Sequence, residues 1–293
     1  FDFTKAFQKL KSINDWMSDW QPGTQLSQVN QAAGARPVKV GSDLYELMKY
    51  TLRISEKTEG AFDPTFNAFW GLYKFKANDQ REASEEEIKE RLPLIDFRNV
   101  VMNDQEKSIF LKSSGMKLGL GGIGQGYGVD KIVDELRKKY PAGYIDGSGD
   151  TYFWGSKPDG SLWTTAVRDP RDKGKTALRI YGTDFAITTS GDDEKFFMKN
   201  GRRVHHIIDP KTGRPATASR QVTVIAKRAL DADAFDTGLF VMGPAKGKKV
   251  IESVGLQAVF ITEKEVILTK GLVKKNTPWG EVYEVVGPLK TFE

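Results

Sequence analysis

The chain has 293 residues, of which 39% are hydrophobic and 28% are charged, and this length allows one large domain or two small ones. It contains no cysteine, so disulfides, thiolate nucleophiles and thiolate metal sites are excluded, and any metal must be bound by oxygen or imidazole. The net charge of +5 is scattered over 44 basic and 39 acidic residues without a nucleic-acid-binding motif, so no nucleic-acid partner is expected.

The first part of the chain is typical of helices. Residues 4–19 place apolar side chains at helical spacing, which predicts a first helix. A second helix is predicted from Ser42 to Thr58, with Ser42 as its N-cap. A short third helix is predicted to begin at Ser84, because Glu87 follows at the spacing of a capping box.

A glycine-rich turn then leads into a fourth helix, and from residue 142 the pattern changes to short β-like runs. Two further helices, at about 230–241 and 244–253, precede two more strands. Strands and helices are segregated along the chain, so an α+β fold in a single domain, residues 1–293, is favoured over a doubly wound sheet. The predicted strands are LWTTAVR, ALRIYG, DFAITTS, VHHIID, QVTVIAK, LQAVFIT and EVILTK.

The glycine-rich turn spans residues 119–128 and contains six glycines. A loop of this kind at a helix N-terminus suits a phosphate or pyrophosphate, because backbone amides point toward the ligand. It has neither the lysine of a P-loop nor the setting of a dinucleotide fingerprint. The alternative is that the glycines serve tight turns and close helix packing.

Asp233 and Thr237 are four residues apart on a predicted helix, which places a carboxylate and a hydroxyl on one face. Two hard oxygen ligands with room for water suit Mg²⁺. The alternative is that an aspartate caps the helix and Thr237 is merely packed.

Both histidines of the chain, His205 and His206, stand side by side in a predicted strand, so their side chains should point to opposite faces. One histidine can serve as a general base, oriented by a nearby carboxylate such as Asp209, or both can be structural. The segment TTSGDD, residues 188–193, offers hydroxyls for phosphate oxygens or forms a plain turn.

Six motifs in a fixed order carry a resemblance to a known family. From about residue 5 to residue 270 the chain resembles the ApbE-type flavin transferases. The resemblance implies an α+β domain related to the T-fold, with mixed and antiparallel sheets and packed helices. Members bind FAD and, with Mg²⁺, transfer FMN onto a threonine hydroxyl of a partner flavoprotein, releasing AMP. The motifs are AFDPT (61–65), GGIGQGYGVD (121–130), DGSGD (146–150), TTSGD (188–192), HHIIDPKTGRP (205–215) and ALDADAFDT (229–237).

The resemblance assigns roles to individual residues. It makes Asp233 and Thr237 ligands of Mg²⁺, together with a backbone carbonyl of Gly121 or Gly122, and it makes His206 the catalytic base. It places FAD against residues from several motifs, with an aromatic side chain near the isoalloxazine. These FAD-binding residues are Trp20, Ala61, Phe62, Asp63, Gly124, Gln125, Thr189, Ser190, Gly191, His206 and Ile207.

The chain departs from the family at several points. Gly119 stands where relatives commonly have aspartate, and Gln125 where many have lysine, which puts the affinity for FAD in doubt more than the chemistry. The family's first strand is not found ahead of the first helix. The acceptor motif of the family is also not apparent, since DGSGDT (146–151) fails at its fourth position, so the chain is interpreted as the donor enzyme.

Two other activities are compatible with this resemblance: an FAD pyrophosphatase that yields FMN and AMP, and a non-catalytic protein that binds or stores FAD. The resemblance also implies a periplasmic or cell-surface lipoprotein serving membrane redox complexes. The signal, the lipidated cysteine and the family's first strand are then expected ahead of Phe1 in the full-length gene product.

Overall fold

The computed structural model describes residues 3–277, 280–285 and 289–292. The ends of the predicted domain, Phe1, Asp2 and Glu293, lie outside the described residues. The helices are α1 (Phe3–Met17), α2 (Gln25–Gln31), α3 (Ser42–Lys57), α4 (Glu85–Arg91), α5 (Gly124–Leu136) and α6 (Ala229–Ser253). The strands are β1 (Val38–Lys39), β2 (Lys74–Lys76), β3 (Asp79–Arg81), β4 (Val100–Asn103), β5 (Ser108–Leu111), β6 (Gly143–Gly147), β7 (Asp150–Trp154), β8 (Trp163–Asp169), β9 (Asp172–Gly182), β10 (Phe185–Gly191), β11 (Phe196–Lys199), β12 (Arg202–His205), β13 (Gln221–Ala226), β14 (Gln257–Ile261), β15 (Val266–Leu268), β16 (Leu272–Thr277) and β17 (Gly280–Val285).

The chain forms two compact units. One, here called the sheet unit, contains Ile123–Asp193 and Thr217–Glu293. The other, here called the helical unit, contains Asp2–Gly122 and Glu194–Ala216. Because the second segment of the helical unit is inserted between strands of the sheet unit, the histidine pair belongs to the helical unit, and Asp233 and Thr237 belong to the sheet unit.

The sheet unit is built on a six-stranded antiparallel sheet with the order β15-β14-β13-β10-β7-β6. A second sheet, β16-β17-β9-β8, contains one parallel pair, β17 with β9. Every residue of β13 is buried, although its sequence, QVTVIA, alternates polar and apolar residues over its first four positions. Helix α6 packs on β10, β13 and β14. The fold class predicted from the sequence, α+β with mixed and antiparallel sheets and packed helices, is confirmed.

Helix α6 bends at Gly243, whose φ of 71° lies in the left-handed region, and Pro244 follows it. This break separates the two helices that the sequence predicts here, because a non-helical residue followed by proline interrupts the hydrogen-bond ladder. The predicted capping box of α4 is present, since Ser84 accepts the Glu87 N–H and the Glu87 side chain accepts the Ser84 N–H. The prediction of Ser42 as N-cap of α3 is wrong: Gly41 occupies that position and Ser42 is the first helical residue.

The helical unit contains α1–α4, a three-stranded antiparallel sheet β1-β5-β4 and two hairpins, β2-β3 and β11-β12. The predicted strand over VHHIID is shorter than expected. Strand β12 ends at His205, and beyond it only Ile208 makes a β-bridge, to Pro215. In the described part of the chain, no helix is both long and apolar enough to span a membrane.

Candidate functional site

Hydrogen bonds connect helices α5 and α6 of the sheet unit near the N-terminus of α6. The carboxylate of Asp130 on α5 accepts the N–H groups of Ala229 (2.7 Å) and Leu230 (3.0 Å), which caps the first turn of α6. In return, the N–H of Gly126 donates to Oδ2 of Asp233 at 2.8 Å. Asp233 is therefore held at the beginning of the glycine-rich helix α5.

Gly126 makes this arrangement possible. A Cβ atom at this position would lie 2.3 Å from the backbone oxygen of Ala229 and 2.7 Å from Cβ of Asp233. Both neighbours are fixed by the helix, so no side chain fits. At this position the contact supports the packing explanation of the glycine-rich segment, and the predicted phosphate site stays a prediction.

Asp233 belongs to a cluster of three buried acids. Asp233 is 7% exposed, Asp150 is 8% exposed and Asp236 is 4% exposed. Burial raises the pKa of all three carboxyl groups, and repulsion from Asp233 adds to the rise at Asp150 and Asp236. The Oδ2 atom of Asp150 is buried without a hydrogen-bond partner among the described residues. No basic side chain is among the main causes of these shifts in the described residues, and a bound cation would favour the charged forms of the three acids.

Two hydroxyl groups, of Thr237 and Ser190, lie beside one of these acids, Asp236. The hydroxyl of Thr237 lies 3.1 Å from Oδ1 of Asp236 and 3.1 Å from the hydroxyl of Ser190. Within the described residues, no three acidic or histidine side chains converge as a ready metal site. A cation here would therefore also need hydroxyl, backbone or water oxygens, which is the usual environment of Mg²⁺ in proteins. The residues present fit that ion.

The remaining predicted ligand-binding residues of the sheet unit lie near the start of α5 and along β10. Gly124 is the first residue of α5, and Gln125 donates from Nε2 to the backbone oxygen of Gly147 at 2.8 Å. Gln125, which replaces the lysine of many relatives, thus ties the helix start to the end of β6. On β10, the Thr189 hydroxyl pairs with the Thr223 hydroxyl at 2.8 Å. Gly191 is buried at the end of the strand.

In the helical unit, the two histidines have different surroundings. His205 is 3% exposed, and its Nε2 lies 2.9 Å from the backbone oxygen of Ala216. Its Nδ1 accepts the N–H of Ile207, so the neutral form with the proton on Nε2 satisfies both contacts. His205 is therefore a structural residue that holds the segment from 205 to 216.

His206 follows the strand, and its N–H donates to the backbone oxygen of Lys195. Its Nδ1 is buried without a hydrogen-bond partner in the described part of the chain. Burial, with smaller contributions from Lys195 and His205, lowers the pKa of His206 from 6.5 to about 4. The ring is therefore neutral at pH 7. The Asp209 carboxylate accepts the N–H of Lys211 in the following turn.

A cavity of about 260 Å³ in the helical unit is lined by two tryptophans, Trp20 and Trp70, each 60% exposed. Their rings meet edge to face. Asn67 also lines the cavity, and its Nδ2 donates to Asp19 (2.7 Å) and to the backbone oxygen of Leu118 (2.9 Å). The cavity thus offers flat apolar surfaces beside a few polar groups, a combination typical of small-molecule sites.

Asn67 also explains one departure from the family. A Cβ atom at Gly119 would lie 2.9 Å from Cγ of Asn67, so the aspartate common in relatives does not fit unless Asn67 moves. Gly121 differs, because no described atom lies within 4 Å of the position of its Cβ. Gly121 and Gly122 form the turn directly before Ile123, the N-cap of α5.

The AFDPT segment is largely internal. Ala61 and Phe62 are buried, and Ile207 is buried as well. Asp63 caps a short 3-10 helix: its Oδ1 accepts the N–H and the hydroxyl of Thr65, and its Oδ2 accepts the N–H of Phe97. All of these contacts are structural, and the predicted role of these residues toward FAD stays a prediction.

Sequence reasoning did not assign a role to Asp150, Asp236, Trp70 or Phe75. Asp150 ends the DGSGD motif and Asp236 lies between Asp233 and Thr237, so the spacing of acids was available as a signal. Trp70 and Phe75 show no periodic pattern in the sequence. Trp70 contacts Trp20, and Phe75 contacts Phe197 and His206, all of which are distant in sequence.

Comparison with known proteins agrees with these features. The family model described as the ApbE family matches residues 2–260. An FAD:protein FMN transferase of Treponema pallidum is 35% identical over 92% of this chain and 80% of its own length. One of Vibrio cholerae is 30% identical over 89% of this chain and 79% of its own.

Solved structures show the same similarity. The ApbE protein of Thermotoga maritima superposes with a TM-score of 0.83 at 31% identity, covering 92% of this chain and 88% of that one. The flavin transferase ApbE of Vibrio cholerae gives 0.81 at 27% identity, covering 92% and 88%. The chain belongs to the ApbE family.

Proposed function

We propose that this chain is an FAD:protein FMN transferase, which attaches FMN from FAD through a phosphoester bond to a threonine of a partner flavoprotein. The observation that carries the proposal is the buried acid cluster around Asp233, with an oxygen of Asp150 left unpaired among the described residues. Storage of FAD would not require such a cluster, whereas phosphoryl transfer requires a divalent cation at the phosphates. The relatives named above carry this activity in their names.

The metal of this proposal is Mg²⁺, held by Asp233 and Thr237 with a backbone carbonyl of Gly121 or Gly122. When bound, it neutralises phosphate charge and polarises the phosphorus under attack. Asp130 and the N–H of Gly126 keep the Asp233 carboxylate in place, which prevents it from rotating away when the site is empty of ligand. The hydroxyl of Ser190, bonded to Thr237, orients that second ligand.

His206 is proposed as the general base. It takes the proton of the acceptor threonine as the threonine oxygen forms a bond to the phosphorus on the riboflavin side. The bond from that phosphorus to the bridging oxygen then breaks, and AMP leaves. The imidazole is available for this step because burial keeps it neutral at pH 7.

The two tryptophans of the helical unit are proposed to receive the isoalloxazine ring. A cavity of about 260 Å³ is too small for the whole of FAD, but its flat aromatic walls suit one end of it. A fall in the affinity for FAD in Trp20→Ala and Trp70→Ala, measured by flavin fluorescence, would support this placement. Unchanged affinity in both would contradict it.

A single incubation tests the proposed activity. The protein is mixed with FAD, Mg²⁺ and a flavoprotein domain that carries a threonine acceptor motif, and the products are read by mass spectrometry. Transfer predicts that the domain gains FMN and that AMP appears only with the acceptor. Free FMN and AMP without acceptor would indicate a pyrophosphatase, and intact FAD would indicate a binding or storage protein.

We also propose, from the resemblance alone, that the protein is a periplasmic or cell-surface lipoprotein. Its acceptors would then be subunits of membrane redox complexes. The coding sequence upstream of Phe1 tests it, because a signal peptide with a lipidated cysteine is expected there. An initiator methionine directly before Phe1 would contradict it.

A further inference from the structure

The β2-β3 hairpin places an aromatic ring against His206. Phe75 lies in the middle of β2, and its ring meets the imidazole of His206 in a T-shaped contact with centroids 6.4 Å apart. Phe75 also contacts Phe197 of β11, at 6.1 Å, and stacks on Tyr73, at 6.4 Å. The ring is therefore packed between the imidazole and two other aromatic rings.

The hairpin is anchored to the segment that carries His206. Glu82 directly follows β3, and its side chain is only 4% exposed. It pairs with Lys199 of β11 at 3.0 Å and with Arg202 of β12 at 2.5 Å. Ahead of β2, the hydroxyl of Tyr73 donates to the backbone oxygen of Gly213 at 2.7 Å. Contacts on both sides of Phe75 thus fix its position relative to His206.

The charged and titratable groups that act on the imidazole are Lys195 and His205, and both oppose its protonation. The larger effect is burial, which lowers the pKa of His206 to about 4. A phenyl ring that covers part of the imidazole contributes to that burial by excluding water. Phe75 supplies such a cover.

We propose that Phe75 is a positioning residue for His206, which shields the imidazole from water and fixes its orientation. The importance of this shielding for catalysis rests on the proposed function, in which His206 is the base. The shielding itself is a property of the protein without FAD or acceptor, so it can be tested separately.

The test is an NMR titration of the histidine rings in the ligand-free protein. The chain has two histidines, so His206→Gln leaves one set of ring signals and assigns both. Phe75→Ala is expected to raise the pKa of His206 by about one unit or more. Phe75→Tyr, which keeps the ring, should restore the wild-type value, and Lys76→Ala on the same hairpin should leave it unchanged.

An unchanged titration of His206 in folded Phe75→Ala would overturn the proposal. If that variant does not fold, Phe75→Gln replaces it, because glutamine fills much of the same space but is polar: a rise in the pKa of His206 supports shielding by the ring, and no rise contradicts it. A second readout is the acid limb of FMN transfer, expected to move to higher pH in Phe75→Ala. An NMR shift in a protein that transfers no FMN would contradict the proposed function while supporting the shielding.

Discussion

The surroundings of Asp233 and of His206 are built by different physical means. The carboxylate of Asp233 on α6 accepts the backbone N–H of Gly126 on α5, and Asp130 of α5 caps the first turn of α6. His206 lies beyond the end of its strand, with one ring nitrogen unpaired among the described residues and an aromatic ring beside it. Hydrogen bonds weaken steeply as their distance and angle change, whereas a substitution of Phe75 can remove its contact with His206 in part. The acid cluster should therefore fail abruptly on substitution, and the histidine environment should change by degrees.

The two histidines provide the largest expected difference. His206→Asn should retain FAD binding and slow FMN transfer by about a hundredfold or more, the usual consequence of losing a general base. His205→Asn should leave the rate of the folded protein nearly unchanged but lower its free energy of unfolding by about 1 to 3 kcal/mol, because two buried hydrogen bonds are lost. Transfer kinetics and urea unfolding measure both effects. A reversal of the two would show that the base is misassigned.

Gly126→Ala tests the rigidity of the Asp233 environment. The added methyl group meets the backbone of Ala229 and Cβ of Asp233, so the free energy of unfolding should fall by about 3 kcal/mol. Gly121→Ala is the matched control, because open space surrounds its Cβ position within the described residues, and its stability should change little. Urea denaturation compares them. Equal stability of the two variants would mean that α5 and α6 can separate without loss.

The low pKa of His206 predicts a smaller, pH-dependent effect on stability. The folded protein binds a proton at His206 only near pH 4, whereas the unfolded chain binds one near the ordinary value of 6.5. The contribution of neutral His206 to the free energy of unfolding is thus complete above pH 6.5 and is lost as the pH falls toward 4. His206→Gln should flatten this decline by about 2 kcal/mol in the free energy of unfolding measured between pH 7 and pH 4.5. Parallel curves for wild type and variant would refute the lowered pKa.

Local signals in the sequence predicted the local features of the fold. The capping box at Ser84, the glycine-rich entry into α5 and the pairing of Asp233 with Thr237 on one helix all follow from spacing along the chain. The strand over VHHIID was predicted too long, because β12 ends at His205 and the backbone bends at His206. Phe75 gave no signal, since its role depends on tertiary contacts with residues far along the chain.

The single domain predicted over residues 1–293 stays a prediction, although the family model spans parts of both compact units. The family resemblance supplied the ligand assignments that periodicity could not. The structure added a physical reason for one departure from that family, the steric contact at Gly119, and a contact for another, the hydrogen bond of Gln125.

The central claim is that Asp233 and Thr237 bind Mg²⁺, and thermal unfolding with increasing Mg²⁺ tests it most directly. A ligand that binds only the folded state raises its stability, by about 2.7 kcal/mol at a hundred times its Kd. We predict that, with FAD present, the addition of Mg²⁺ raises the Tm of the wild-type protein at pH 8 above its value without Mg²⁺. In Asp233→Asn, which keeps an acceptor for Gly126 but loses the charge, Mg²⁺ should add nothing. An equal rise in Tm for both proteins would contradict the account.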